Sequence, residues 1–134
     1  MSGQVTCDSS VLVAMLLDGG PSGQWATGVL EAAGHLLAPH LVLFEAANIL
    51  RRHQLAGLIT ADQAEQAHAD LLDLPLDLWP YELLARRSWQ LRHNLTIYDG
   101  AYVALAEMTS SPLATLDHRI AGAPGTRCPV VIPP

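Results

Sequence analysis

"LTIYDGAYVALAEMTSSPLATLDHRI", Leu95 to Ile120, is the stretch from which the rest of this chain can be read. Its first half, Thr96 to Met108, carries apolar side chains on most of its helical surface, the pattern of a helix covered on nearly every side. Yet that helix opens with an acid, Asp99, set between Tyr98 and Tyr102. Thr96-x-x-Asp99 fits the box in which side-chain oxygens satisfy backbone N–H groups left free at a helix start. Ser110-Ser111-Pro112 stops the helix, and Leu113 to Leu116 then reads as a strand ending at a second acid, Asp117.

Outward from there, helices and strands alternate. Gln4 to Cys7 is a short β-branched strand leading through Asp8-Ser9-Ser10 into an apolar helix, Val11 to Leu17. Asp18 to Gly23 breaks that helix, and Gln24 to Ala33 resumes a helical pattern before a strand over His35 to Ala38, ended by Pro39. His40 to His53 is helical, and Thr60-Ala61-Asp62 opens a more polar helix through Leu72. Leu76 to Trp79 is a strand, Tyr81 to His93 a helix, and Pro129 to Ile132 a last strand. Such alternation implies one α/β domain over residues 1–134, with a mainly parallel sheet of four to five strands flanked by helices on both faces. Ligands of such sheets bind at the carboxyl ends of the strands.

Composition narrows the chemistry. At 134 residues the chain can bury a sizeable core without staples. No apolar run approaches the ~18 residues of a membrane span, and the polar start MSGQVTCDSS lacks a signal peptide's basic region, so a cytoplasmic protein is expected. Cys7 and Cys128 stand at opposite ends and read as free thiols rather than a disulfide or zinc pair. The net charge is -6, with arginine at all seven basic positions and no lysine. Schiff-base chemistry, a P-loop and a phospho-receiver site are therefore excluded. An acidic chain also binds nucleic acid poorly through bulk charge, because that affinity comes from Lys and Arg displacing counterions, so its carboxylates would first have to be neutralised.

Four acids stand out. Asp8 and Asp117 end strands, Asp99 begins a helix, and each could be a helix cap. Glu45 lies too far into its helix to cap, among Leu43, Phe44, Ala46 and Ala47, and shares a stripe with Asn48 and Arg52. Either that stripe is a bland one, facing solvent or pairing Glu45 with Asn48 and Arg52, or Glu45 turns inward across the rim toward Asp8. Several hard oxygen ligands at strand ends and helix starts suit Mg²⁺ or Mn²⁺, and a cation would relieve their mutual repulsion. The histidines show no zinc-ligand spacing.

Three segments together, "VTCDSSVLVAMLL", "APHLVLFEAANILRR" and "LTIYDGAYVALAEMTSSPLATLDHRI", resemble the PIN-domain ribonucleases, and within them the VapC-type toxins of toxin–antitoxin pairs. The resemblance implies a three-layer α/β/α PIN-like domain and a Mg²⁺-dependent endoribonuclease, with Mn²⁺ as a possible substitute. It implies that Asp8, Glu45, Asp99 and Asp117 form the catalytic, metal-holding site, supported by Ser10, Asn48 and Thr115. It also implies a homodimer, an RNA substrate and a cognate VapB-type antitoxin that blocks the site. Gly100 stands where small residues such as alanine are common in the family. Arg51, Arg52, Arg86, Arg87 and Arg119 are the candidate RNA-gripping cations, and Tyr98 and Tyr102 the candidate base stackers. The competing expectation is a non-catalytic protein-binding module whose acids are only caps and surface charge.

Overall fold

The computed structural model describes residues 3–134, so Met1 and Ser2 of the polar start lie outside the described residues. The elements are β1 (Gln4–Cys7), α1 (Ser9–Leu17), α2 (Pro21–Ala32), β2 (His35–Pro39), α3 (Leu41–Leu55) and α4 (Ala61–Asp73). They continue with β3 (Leu76–Trp79), α5 (Tyr81–Gln90), α6 (Ile97–Thr109), β4 (Leu113–Ala114), α7 (His118–Ala121) and β5 (Val130–Val131). All five strands are parallel, in the order β3-β2-β1-β4-β5. The chain thus steps outward from β1 to β2 and β3, then returns to the opposite side of β1 for β4 and β5. Right-handed crossovers place the helices of these two halves on opposite faces. Helices α1 to α4 pack together on one side, while α6, backed by α5, covers β1, β2 and β4 from the other. The result is the expected three-layer α/β/α arrangement, with a topological switch between β1 and β4.

Helix α6 is the most enclosed of the set: every residue from Gly100 to Ala106 is buried. Its close approach to α5 explains the glycine in its first turn. A Cβ on Gly100 would stand 3.3 Å from the Ser88 carbonyl oxygen, tighter than ordinary contact. Small size at this position is therefore a packing requirement between two helices, and it outweighs the modest helix-propensity cost of glycine. At the other end, Ser110 ends the helix in the left-handed region (φ 52°). Glu107, near the end of the same helix, pairs with Arg87 at 2.7 Å and accepts the backbone N–H of Arg127 at 2.7 Å, tying α5 and the C-terminal segment to α6.

Several boundaries differ from those expected. Pro21 starts α2 instead of prolonging the break, since a proline at the first helical position gives up only an N–H that had no partner anyway. The expected strand Leu113–Leu116 narrows to Leu113–Ala114, because the Leu116 N–H is captured by the Ser10 hydroxyl at 3.0 Å. The last strand narrows to Val130–Val131, β2 runs one residue further through Pro39, and α5 stops at Gln90 rather than His93. Among the described residues no helix is long and apolar enough to cross a membrane.

Gly23 carries the strongest local constraint. A Cβ there would fall 1.6 Å from the Asp18 carbonyl oxygen, a backbone atom that cannot step aside. Gly23→Ala is therefore expected to cost about 1–3 kcal/mol, the range for overpacking, as a lower midpoint in urea or thermal unfolding.

Candidate active site

The carboxyl ends of β1 and β4 meet at the switch point, and Asp8 is the first residue beyond β1. It is 6 % exposed and caps α1. Its Oδ1 accepts the Val11 N–H at 3.1 Å and the Ser10 hydroxyl at 2.6 Å, and its Oδ2 accepts the Thr115 hydroxyl. Each of those partners does a second job. Ser10 Oγ receives the Leu116 N–H at 3.0 Å, and Thr115 Oγ1 receives the Asp117 N–H at 2.9 Å. The two hydroxyls thus lock the end of β4 against the end of β1.

Glu45 comes from α3 on the first face, and Asp99 from the first turn of α6 on the other. The Tyr102 hydroxyl donates to Glu45 Oε1 at 2.5 Å. Of the two possibilities for Glu45, the inward one holds: its carboxyl is half-buried and feels both Asp99 and Asp8. Thr96 caps α6 by accepting the Asp99 N–H at 3.1 Å, and the carboxyl of Asp99 is half-buried and close enough to act on Glu45 and to feel Asp117. In α4, by contrast, Thr60 and Gln63 form the full reciprocal box. Asp117 caps α7 and is clamped by its neighbour Arg119, which reaches Oδ1 at 3.0 Å and Oδ2 at 2.7 Å.

Electrostatics divides the four acids. Burial is the largest cause that holds the Asp8 carboxyl above the usual range, only partly offset by its hydroxyl and backbone donors. Burial also raises Glu45, reinforced by the nearby charges of Asp99 and Asp8 and opposed by the Tyr102 hydroxyl. Asp99 is raised by burial and then by Asp117, with Arg119 and Thr96 opposing. Asp117 alone is lowered, chiefly by its bonds from Arg119. Asp8, Glu45 and Asp99 are thus the three acids raised by burial, Glu45 feeling the other two, while Asp117 is lowered yet lies close enough to raise Asp99.

Among the described residues no three His, Cys, Asp or Glu side chains close around one point tightly enough to hold a metal. The donor set nonetheless fits a small hard dication. Mg²⁺ is commonly held by one or two carboxylates and keeps several of its waters, and carboxylates whose ionisation is mutually opposed are the ones a cation relieves.

The remaining expected site residues fall as follows. Asn48 is exposed one turn beyond Glu45 and, among the described residues, bonds to none of the four acids; with Glu45 it lines an adjoining groove. Tyr102 is 2 % exposed, so it is a core residue and not a base stacker, whereas Tyr98 is 63 % exposed. Arg87 and Arg119 are engaged by Glu107 and Asp117 and are not free cations. The sequence reading missed the role of Tyr102 in holding Glu45. Its signal was the spacing of three from Asp99 together with the need of a buried phenol for an acceptor. Cys7 donates weakly to the Leu37 carbonyl, and burial pushes its thiol up to about 12, which leaves it inert as a nucleophile.

A PIN domain model matches residues 5–125. The chain belongs to the PIN-domain family. The ribonuclease VapC1 of Mycobacterium tuberculosis is 39 % identical over 124 residues, covering 92 % of each chain. Among solved structures, FitAcB from Neisseria gonorrhoeae superposes with a TM-score of 0.72 at 17 % identity, over 96 % of this chain and 97 % of that one. A VapBC-family toxin–antitoxin member from M. tuberculosis, VapBC-5, superposes with a TM-score of 0.61 at 21 % identity, over 96 % and 99 %. The fold assigned to this PIN domain from its own strands is thus shared with these proteins.

A linkage argument gives opposite signs for two of the acids. Asp99 binds its proton more tightly folded than unfolded, so its contribution to stability is largest below the ordinary carboxylate range and is lost as pH rises through its raised folded value. Asp117 behaves in the reverse sense: its contribution is present above that range and lost as pH falls. In metal-free buffer at pH 7, Asp99→Asn is expected to raise the thermal midpoint and Asp117→Asn to lower it. The Asp99→Asn difference should shrink as pH approaches 4, whereas the Asp117→Asn difference should persist down to the ordinary carboxylate range and shrink only below it, as followed by circular dichroism.

Proposed function

We propose that this PIN domain is a metal-dependent endoribonuclease toxin of the VapC type, hydrolysing RNA phosphodiester bonds with an activated water. The carrying observation is the convergence of Asp8, Glu45 and Asp99 at the switch point, each held above its ordinary pKa by burial, with Glu45 also feeling the other two. The name carried by the ribonuclease VapC1 supports the same reading.

Asp8 and Asp99 would hold the dication, with Glu45 beside them. When bound, Mg²⁺ or Mn²⁺ supplies Lewis acidity at the scissile phosphate and lowers the pKa of a bound water. The protein's own part follows from its hydrogen bonds. Thr115 and Ser10 fix both oxygens of Asp8, so the carboxylate presents one orientation. Tyr102 occupies Glu45 Oε1 and leaves Oε2 to orient water and accept its proton. Asp117 is less suited to that task, because Arg119 holds both of its oxygens. The site acids also answer the charge difficulty: the acidic rim draws a cation, and the cation draws the phosphate.

The further elements of the proposal are a homodimer acting in the cytoplasm and a VapB-type antitoxin as the controlling partner. The toxin–antitoxin title of the VapBC-5 structure favours the latter. A short reading frame overlapping or preceding this one, with a DNA-binding start and an amphipathic tail, is the genomic sign to seek.

The test is purified protein with a panel of structured RNAs in Mg²⁺ or Mn²⁺, then with EDTA. Cleavage is expected only with metal and is expected to disappear in the Asp8→Ala, Asp99→Asn double variant; persistence in either case would refute the reading. Thr115→Val should keep the fold while weakening apparent metal affinity by about 10–100-fold, the usual cost of losing a support to a ligand.

A further inference from the structure

The acid site opens on one side into a groove of about 750 Å³, lined by Leu41, Phe44, Glu45, Asn48, Arg51 and Tyr98 among others. Glu45 belongs to both, so an RNA strand whose scissile phosphate lies at the acids has this groove as one of its exits. Two aromatic rings in it lack cover: Phe44 is 79 % exposed and Tyr98 63 %. The charge here is also distinctive. Arg87 and Arg119 are in ion pairs, and Arg92 lies over the Trp89 ring at 4.7 Å. Arg51 makes no ion pair among the described residues and is the one arginine lining the groove. A second cavity that shares Leu41 and Phe44 is lined by His40, Trp79, Tyr81 and Glu82 but by no arginine. A phosphodiester strand is therefore drawn toward Arg51 rather than past Glu82.

We propose that this groove is a subsite for one unpaired nucleotide next to the cleaved bond, its base stacked on Tyr98 and Phe44 and its phosphate held by Arg51. The assignment rests on the nuclease reading and adds to it where the substrate is gripped. Exposed aromatic faces beside a single cation are what single-stranded RNA binding requires, since every base has a π-face and each phosphate a charge. Asn48, between Glu45 and Arg51 on the same helix, supplies an amide with both a donor and an acceptor for a base edge. An acidic chain with no lysine gains most from such a subsite, because stacking does not depend on net charge.

The test uses the full chain and two labelled probes, an eight-nucleotide oligo(A) RNA and its abasic ribose-phosphate counterpart, with fluorescence anisotropy in Mg²⁺ and gels confirming intact probe. The protein should prefer the base-bearing probe by about tenfold. Tyr98→Ala should abolish that preference and Tyr98→Phe retain it. Arg51→Ala should weaken both probes alike and lower the salt slope by about one. The exposure of both side chains leaves the fold intact in these variants, which circular dichroism checks. Retained base preference in Tyr98→Ala overturns the subsite, as does an Arg51→Ala protein that binds like the parent. Conversion of a dimer to a monomer by Tyr98→Ala, seen by light scattering, would instead give the groove to a second copy of the chain and overturn it too. Cleavage of total RNA by the same preparations separates the two readings. Cleavage together with a Tyr98-independent base preference removes the subsite alone; a Tyr98-dependent preference without cleavage in either metal removes the nuclease alone.

Discussion

A carboxylate buried at the end of a central strand is tolerable only when its oxygens are hydrogen-bonded, and satisfying those of Asp8 organises this molecule. The Val11 N–H ties it to the start of α1, and the Ser10 and Thr115 hydroxyls tie it to the end of β4. Strands β1 and β4 are neighbours that lead to opposite faces of the sheet, so their ends would otherwise diverge into a cleft. The bonds around Asp8 close the floor of that cleft and leave its mouth to the other acids. Under the proposed nuclease reading, the residue that closes this floor is also a metal ligand.

The mouth of the cleft is built by helices from both faces, with α6 as the link. Being buried almost all round, α6 has little freedom to shift, and this fixes Asp99 at its first turn and Tyr102 one turn later. Tyr102 then reaches across to Glu45 on α3, so a core residue sets the orientation of a rim carboxylate. At the far end of the same helix, Glu107 anchors Arg87 and the backbone of Arg127. The acids are held close in spite of their repulsion because the elements that carry them are pinned elsewhere by apolar packing.

Much of this was legible in the chain. The alternation of short strands with helices indicates a parallel sheet, and strand ends and helix starts mark Asp8, Asp99 and Asp117 from the sequence alone. Boundaries were less legible where a side chain replaces a ladder bond, as Ser10 does for the Leu116 N–H, or where proline starts a helix that its neighbours seem to break. The close approach of Ser88 that suits a small residue at Gly100 is likewise a property of the packed helices and not of the local sequence. Glu45 could not be oriented from periodicity, because a stripe on one helix does not say which neighbour it faces.

By itself the sequence determined the class of chemistry: no lysine, no nucleophile with a base in recognisable spacing, and acids at the positions where a parallel sheet binds ligands. These follow from residue type and local periodicity, which are properties of the chain alone. Tertiary structure decided which acids are raised and which is lowered. Asp117 is lowered by an arginine two residues away, while Asp8, Glu45 and Asp99 are raised by burial that exists only once three elements have packed. It also decided that Tyr102 is spent inside and Tyr98 is left outside. The physical reason is the same in both cases: desolvation and contact across 57 residues of chain, as between Glu45 and Tyr102, depend on distances that sequence spacing does not contain.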